Sequence, residues 1–304
     1  PEGGQLIENM EGKLAFRATD NHGKGLEFSG IILDQDNNMI SRFQPLQFGI
    51  GSFIFTPLAG KSYKALIEIG GKTIVKELPV LKSGYSLRLL ESGDLIRVVI
   101  QASSGVPSQD LSLLVHTRQD PKVANRISIN ANREDVIVNR DKLGDGISHF
   151  TLLSSTGIPL SERLYFKRSA ESLNFKISAG QEVFQSRKKV TLNLESMDEK
   201  NEYSNADASI AVYAANGIDA PVADIQSYLW LKSELRGNIE SPGYYFTNQG
   251  ERVKEALDNL MLTHGWRRFV WEEVLKSKNV SMQYLPELEG HIISGKIIND
   301  QTDK

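Results

Sequence analysis

Apolar and polar residues alternate with a period of two through the first part of the chain, and that alternation sets out its elements. "KLAFRATD" places Leu14, Phe16 and Ala18 on one face and Ala15, Arg17 and Thr19 on the other, the pattern of a half-buried strand. "NHGKG" then reads as a turn, "LEFSGIIL" as a strand, "DQDNN" as a second turn and "MISRF" as a further strand. Turn clusters recur about every ten residues, the rhythm of an all-β sandwich.

"GIGSFIFTPLAGKSYKALIEIGGK", residues 49–72, condenses this pattern. Phe53 and Phe55 share a face, and Pro57 stops the strand because it has no N–H for a ladder. Tyr63, Ala65, Ile67 and Ile69 point inward, whereas Ser62, Lys64 and Glu68 point to water. Gly70-Gly71 forms a two-residue hairpin loop that returns the chain through "KTIVKEL". Tyr63 stands at a strand entrance just after Gly60, where a tyrosine in such sandwiches pins a corner by bonding upstream backbone. Its phenol is therefore predicted to be buried against backbone.

A second unit carries "DLIRVVIQAS", "LSLLVHTR", "DVIVNR", "HFTLLSSTG" and "ERLYFKR", rich in Val, Ile and Leu. Phe150 and Leu152, then Leu164 and Phe166, suggest two strands paired around "SSTGIP". A third unit opens near Glu171 with "LNFKIS", "KKVTLNLES" and "ASIAVYAAN". After Pro221 the period changes to that of a helix. "DIQSYLWLKSEL" has Asp224 as N-cap and Gly237 just past its end. Val253, Leu257, Leu260 and His264 continue at helical spacing until Gly265 interrupts, and Trp266, Phe269, Val270 and Val274 resume the stripe. The expected organisation is mostly β: sandwiches over 1–82, 83–170 and 171–278, the third bearing helices at about 224–236 and 250–277 laid against it. A linker and the first strand of a truncated further domain fill 279–304. Both ends read as severed, so the sequence is expected to be part of a longer polypeptide.

Composition narrows the function classes. Hydrophobic residues make up 40% of the 304 and charged ones 24%, ordinary for a globular protein, which argues against disorder or membrane spanning for the bulk. A formal charge of -3 with interspersed signs lacks the clustered basic footprint that nucleic acid requires. The chain has no cysteine, which removes disulfides, thiolate nucleophiles and cysteine-containing zinc sites.

The candidate chemistry is sparse. His22, His116, His149, His264 and His291 fall at no ligand spacing in sequence, so no metal is assigned. The glycines of "GIGSF" lack the strand-to-helix context of a phosphate cradle. "DQDNN" has the spaced oxygens of a calcium loop, but Met39 stands where a glycine is needed, and it reads as a polar turn. "DKLGDG" at 141–146 reads the same way. Trp230, Tyr244, Tyr245, Phe246, Trp266, Phe269 and Trp271 form the densest aromatic group. At helical spacing beside a sandwich they serve as helix-to-sheet core; a part left exposed would serve as an interface formed by Trp230, Tyr244, Tyr245, Trp266 and Trp271 with Arg267 and Arg268.

"GIGSFIFTPLAGKSYKALI", "STGIPLSERLYFKR" and "AGQEVFQSRKKVTLNLES" through "ASIAVYAANG" resemble successive macroglobulin-like (MG) domains of the alpha-2-macroglobulin type. "YLWLKSELRGNIESPGYYF" with "ALDNLMLTHGWRRFVW" resembles the helical segment beside the MG2-like domain of large exported Bacteroidota proteins. "EGHIISGKIINDQTDK" is similar to the first strand of the carboxypeptidase-regulatory-like sandwich that follows it there, often with a TonB-receptor plug-like domain. The resemblance implies an elongated run of sandwiches in the envelope of a Gram-negative bacterium, periplasmic or surface-facing, working as spacer or docking surface without cofactor. Its partners would be other domains of the parent chain and an outer-membrane protein. The thioester chemistry of the trapping members needs a Cys-Gln pair in a GCGEQ-like run, and neither is present. A carbohydrate- or peptide-binding module built on the aromatic group, and an accessory domain of a hydrolase, are the competing readings.

Overall fold

The computed structural model describes residues 1–265 apart from 107–108, 130–131, 170–172, 209, 211–224 and 249. All of these belong to one unit, 1–268. The chain begins with a 3-10 turn, Glu2–Gly4, and β1, Leu6–Ile7. The first sandwich follows in β2 (Gly12–Arg17), β3 (Ser29–Asp34), β4 (Met39–Phe43), β5 (Ile50–Phe55), β6 (Tyr63–Ile69) and β7 (Lys72–Leu78). Its sheets are β4-β3-β6-β7 and the two-stranded β2-β5. The short strand β8 (Val80–Leu81) lies parallel to β1, with Leu6 opposite Val80.

A second sandwich is built from β9 (Tyr85–Ser92), β10 (Leu95–Ala102), β11 (Leu111–Thr117), β12 (Asp120–Ile127), β13 (Arg133–Asn139), β14 (Gly146–Ser154) and β15 (Pro159–Lys167). It pairs β13-β10-β9 against β12-β11-β14-β15. In immunoglobulin lettering both four-stranded sheets run C′-C-F-G. The facing sheet is A-B-E in the second sandwich and only B-E in the first. The protein is thus mostly β, with two Ig-like sandwiches in tandem.

Alternation explains the cores. Leu87, Ile96, Val98, Ile100, Leu113 and Phe150 point between the sheets of the second sandwich and are fully buried. In the first, Ile32, Phe43, Phe55, Tyr63 and Ala65 do the same, with Phe16, Phe43 and Phe53 in ring contact. The loop Gly70-Gly71 has φ of 54° and 74°, the left-handed pair a two-residue hairpin requires. Tyr63 is 3% exposed and its phenol oxygen accepts the Leu58 N–H at 2.9 Å, the corner predicted from sequence.

Four strands escaped the sequence reading, the two-residue β1 and β8 and the longer β9 and β12. β12 is an exposed edge strand with Pro121 inside it, which lowers its strand signal. β9 interrupts its apolar run with Arg88, whose charge is used elsewhere. The pairing of β14 with β15 also differs in register from the simple alternation. His149 lies opposite Leu164 and Phe150 opposite Arg163, so Phe150 and Leu152 face the sandwich interior while Leu164 and Phe166 face outward.

What covers Leu164 and Phe166 is the helical segment. It comprises α1 (Ile225–Ser227), a π-helical stretch Tyr228–Lys232, α2 (Tyr244–Thr247) and α3 (Glu251–Thr263). The Asp224 cap lies outside the described residues, and the stop expected at Gly237 is corrected: the helical stretch ends at Lys232 with Ser233 as its C-cap, and Gly237, at φ 96°, lies in the loop beyond. The expected packing of these helices on the third unit is corrected. Leu231, Leu235, Tyr245, Leu257 and Leu260 share a core with Ile50 of the first sandwich and Ile147, Leu164 and Phe166 of the second. The physical reason is supply: both sandwiches present apolar side chains on an outer face, and the apolar stripe of the helices covers the two together. Within 171–278 the described strands are the hairpin β16 (Asn174–Ala179) and β17 (Leu192–Met197). The helix beyond Gly265 and the strand expected at His291 lie outside the described residues.

Candidate functional site

The junction of the two sandwiches and α3 gathers most of the buried charge. Arg163 sits on β15 between Leu164, turned to the helices, and the sandwich edge, so its guanidinium emerges where β9, β15 and the Glu2–Gly4 turn meet. Its Nε donates to Glu2 Oε1 at 3.1 Å, its Nη1 to the Leu164 carbonyl at 2.7 Å, and its Nη2 to Asp258 Oδ1 on α3. Asp258 Oδ2 accepts from Lys13 Nζ of β2 at 2.8 Å. On the other side Glu2 Oε2 lies 3.8 Å from Arg88 Nε, and Arg88 Nη1 lies 3.1 Å from Glu11 Oε1.

Six side chains therefore alternate in sign, from Glu11 through Arg88, Glu2, Arg163 and Asp258 to Lys13. They tie the N-terminal turn, both sandwiches and α3 together. Arg163 is 4% exposed and Glu2 6%, so each relies on its neighbours rather than on water. Burial pushes the Asp258 carboxyl up, but Arg163 and Lys13 outweigh it and hold the group below the usual carboxylate range. Ser161 Oγ donates to the Gly3 carbonyl at 2.8 Å and closes the same corner. Beside it lies a groove of about 310 Å³, walled by Gly3, Gly4, Leu160, Arg163, Met261 and Gly265.

The predicted aromatic site falls elsewhere in the same junction. Tyr245 is 1% exposed, a correction to its place in an outward interface, and burial pushes its phenol pKa well up. Tyr244 and Phe48 make an edge contact at 5.2 Å, and Tyr244 packs on Tyr245 at 5.4 Å. Trp230 is half-buried: Arg118 stands 4.9 Å over its ring, and a Cβ on Gly146 would meet the ring at 2.8 Å. These three are helix-to-sheet core, brought together as an inward group. Trp266, Arg267, Arg268 and Trp271 lie outside the described residues.

The C–F ladder brings His116 and His149 together, far apart in sequence, with rings parallel at 4.7 Å. His149 Nδ1 is 3.7 Å from Glu162, which accepts from Thr151 Oγ1 at 2.8 Å. Among the described residues no group of three or more His, Cys, Asp or Glu is placed to hold a metal ion. Asp34 of "DQDNN" accepts the N–H groups of Asp36 and Asn38 at 2.9 Å each, and this turn geometry with the Asn38 amide keeps its carboxyl pKa low. "DKLGDG" is likewise a turn, with the Gly144 N–H donating to Thr117 Oγ1. Sequence reasoning missed the charged junction because Glu2, Arg163 and Asp258 are far apart along the chain. The available signal was an arginine inside "SERLYF", within an otherwise largely apolar strand.

Fold and junction together define a tandem Ig-like β-sandwich module whose polar chemistry goes into joining its own parts. No family model matches the chain, and no curated protein matches it. Among solved structures, one described as the tetra-tandem repeat in the extending region of a large adhesion protein is similar at 11% identity and a TM-score of 0.27. The match covers 60% of this chain and 55% of that one, so the chain spans about half its length. A likeness this remote carries no functional argument. No helix of the described residues is long and apolar enough to cross a membrane.

Proposed function

We propose that this chain is a non-enzymatic structural and interaction module of a larger exported protein, a docking element in the envelope of a Gram-negative bacterium. The observation that carries the reading is the alternating run of six charges. It commits the buried Glu2 and Arg163, with four partly exposed partners, to joining two sandwiches and α3 into one body.

The same junction favours docking over spacing. Glu2 and Asp258 bind one guanidinium, so the first turn and α3 lie side by side. The resemblance of "GIGSFIFTPLAGKSYKALI" and "GIPLSERLYF" to macroglobulin-like sandwiches supports the envelope setting, with an outer-membrane, TonB-receptor-like transport or surface assembly as the context. Its partners are then other domains of the parent chain and an outer-membrane protein. Immobilised chain mixed with a detergent extract of envelope from a Bacteroidota species is expected to retain a specific outer-membrane protein. Retention of none, or equal retention from a cytosolic extract, overturns the reading.

A further inference from the structure

Among the described residues, the hairpin of β16 and β17 is a poorly covered sheet, with most of its side chains exposed. Its register sets Ile177 opposite Leu194 and Ala179 opposite Leu192, so apolar side chains line one face. Phe175, Ile177, Leu192 and Leu194 on that face are 39–58% exposed, and Leu173 and Val190, also exposed, extend the stripe at the same spacing of two. The opposite face carries Asn174, Ser178, Asn193 and the pair Lys176–Glu195 at 3.8 Å, with Met197 as its one apolar residue, and is the more polar of the two. A lone two-stranded hairpin is marginal in water, and an apolar face of this kind marks a contact surface.

Charge decides what fits it. The loop at one end, 180–191, carries Arg187, Lys188 and Lys189 against the single acid Glu182. The turn at the other end, 198–202, carries Asp198, Glu199 and Glu202 against the single base Lys200. The hairpin is therefore apolar along its middle and opposite in sign at its two ends. Such a surface is complementary to itself when a second one is turned end for end, which is what a two-fold axis does.

We propose that this face is the contact between two copies of the chain, packed sheet on sheet about a two-fold axis with each basic loop over the partner's acidic turn. Six side chains about half free give roughly 500 Å² of surface per copy, or ~1,000 Å² in all, at the lower bound for a specific interface. The dimer is accordingly reversible, and it weakens with salt. The proposal goes beyond the envelope docking reading and is tested on purified chain, so the two fail separately.

The 304-residue chain in low salt is expected to sediment as a concentration-dependent dimer. Ile177→Asp is expected to weaken association by roughly a hundredfold, because it buries an unpaired charge. Two charge variants test the polarity without touching the apolar face. One is Lys188→Glu with Lys189→Glu; the other is Glu199→Lys with Glu202→Lys. Asp198 is left in place because its carboxylate accepts the N–H groups of Lys200 and Glu202 and holds the turn. Each variant alone is expected to be a monomer, and an equimolar mixture is expected to restore the dimer. A wild-type chain that stays monomeric, as it would if another segment of its own chain covers the face, overturns the proposal. So does a dimer that survives Ile177→Asp, or charge variants that each self-associate like wild type.

Discussion

The two sandwiches share one strand order and solve the same packing problem unequally. The second faces its four-stranded sheet with three strands and has a core whose central residues are fully excluded from water. The first has only β2 and β5 on that side, so the back of this pair needs a cover. Lys13, Ser52 and Arg17, which point out from it, bond to Asp258, Asn259 and the Asn238 carbonyl respectively. Ile50 enters the core shared with the helices. The second sandwich closes on itself, whereas the first is completed by α3. A two-stranded layer holds in a tandem when a neighbouring element replaces the missing strand.

The sharpest way to break this asymmetry is at Arg163, which anchors α3 to the second sandwich. Arg163→Met keeps much of the volume and leaves Glu2 with only the longer contact to Arg88 and Asp258 with only Lys13, a loss of about 3 kcal/mol, the low end for a broken buried pair. Denaturant midpoints measure the total. Hydrogen exchange locates it: amides of β2, β5 and β6 are expected to exchange faster at low denaturant, while those of β11 and β14 keep their protection. Equal loss of protection in both sandwiches would show that the first does not depend on α3.

The next effect is set by pH. His264, 2% exposed at the end of α3, lies 3.3 Å from the Asn238 carbonyl and near Arg17. Burial first, then Arg17, push its pKa down from 6.5 to about 4. The unfolded chain takes up a proton below pH 6.5 that the folded chain refuses until about pH 4, so stability is full above that window and falls within it. The shift corresponds to ~3 kcal/mol. Unfolding free energies at pH 7 and pH 4.5 are expected to differ markedly for wild type and much less for His264→Phe. An unchanged pH slope in that variant would remove His264 from the account.

How much of this was legible in the sequence follows from range. Period-two alternation located β2, β5, β6, β10 and β14, because the faces of a strand are written into adjacent residues. The corner at Tyr63 was legible for the same reason, since its partner lies five residues upstream. The junction was not. The outward turn of Leu164 and Phe166 depends on the register of β15 against β14, which no local pattern states. The charge run and the His116–His149 stack are products of ladder pairing between distant segments. The inward direction of Trp230, Tyr244, Tyr245 and Phe246 follows from the outer faces of two sandwiches needing cover, which no local pattern encodes.

The corners offer a finer comparison. In the first sandwich one phenol oxygen takes one backbone N–H. In the second, Ser148 ends the C–F ladder, and the corner is held by Thr117 Oγ1, 2.8 Å from Ser148 Oγ and accepting the Gly144 N–H at 3.0 Å. Tyr63→Phe strands one buried donor and is expected to cost about 1 kcal/mol. Thr117→Val strands a donor and a hydroxyl, and about 2 kcal/mol is expected. Chemical denaturation of the two variants in parallel checks the order; a larger loss at Tyr63 would mean that its aromatic packing, kept in the Phe variant, is not what stabilises that corner.

The smallest effect concerns how far the second sandwich leans on the helices in return. Arg118, in the turn after β11, covers Trp230, lies 3.7 Å from Glu234 and donates to the Leu229 carbonyl. It is about half exposed, so solvent screens the ion pair and the cation–π contact is the main gain. Arg118→Ala is expected to cost only about 0.5–1 kcal/mol. It should red-shift the Trp230 emission in a Trp266→Phe/Trp271→Phe background without altering exchange in β11 or β14. A loss as large as that of Arg163→Met would mean that the second sandwich also needs the helices, and the asymmetry between the two would fall. A small loss confined to Trp230 keeps the second sandwich as the fixed base on which α3 and the first sandwich are assembled.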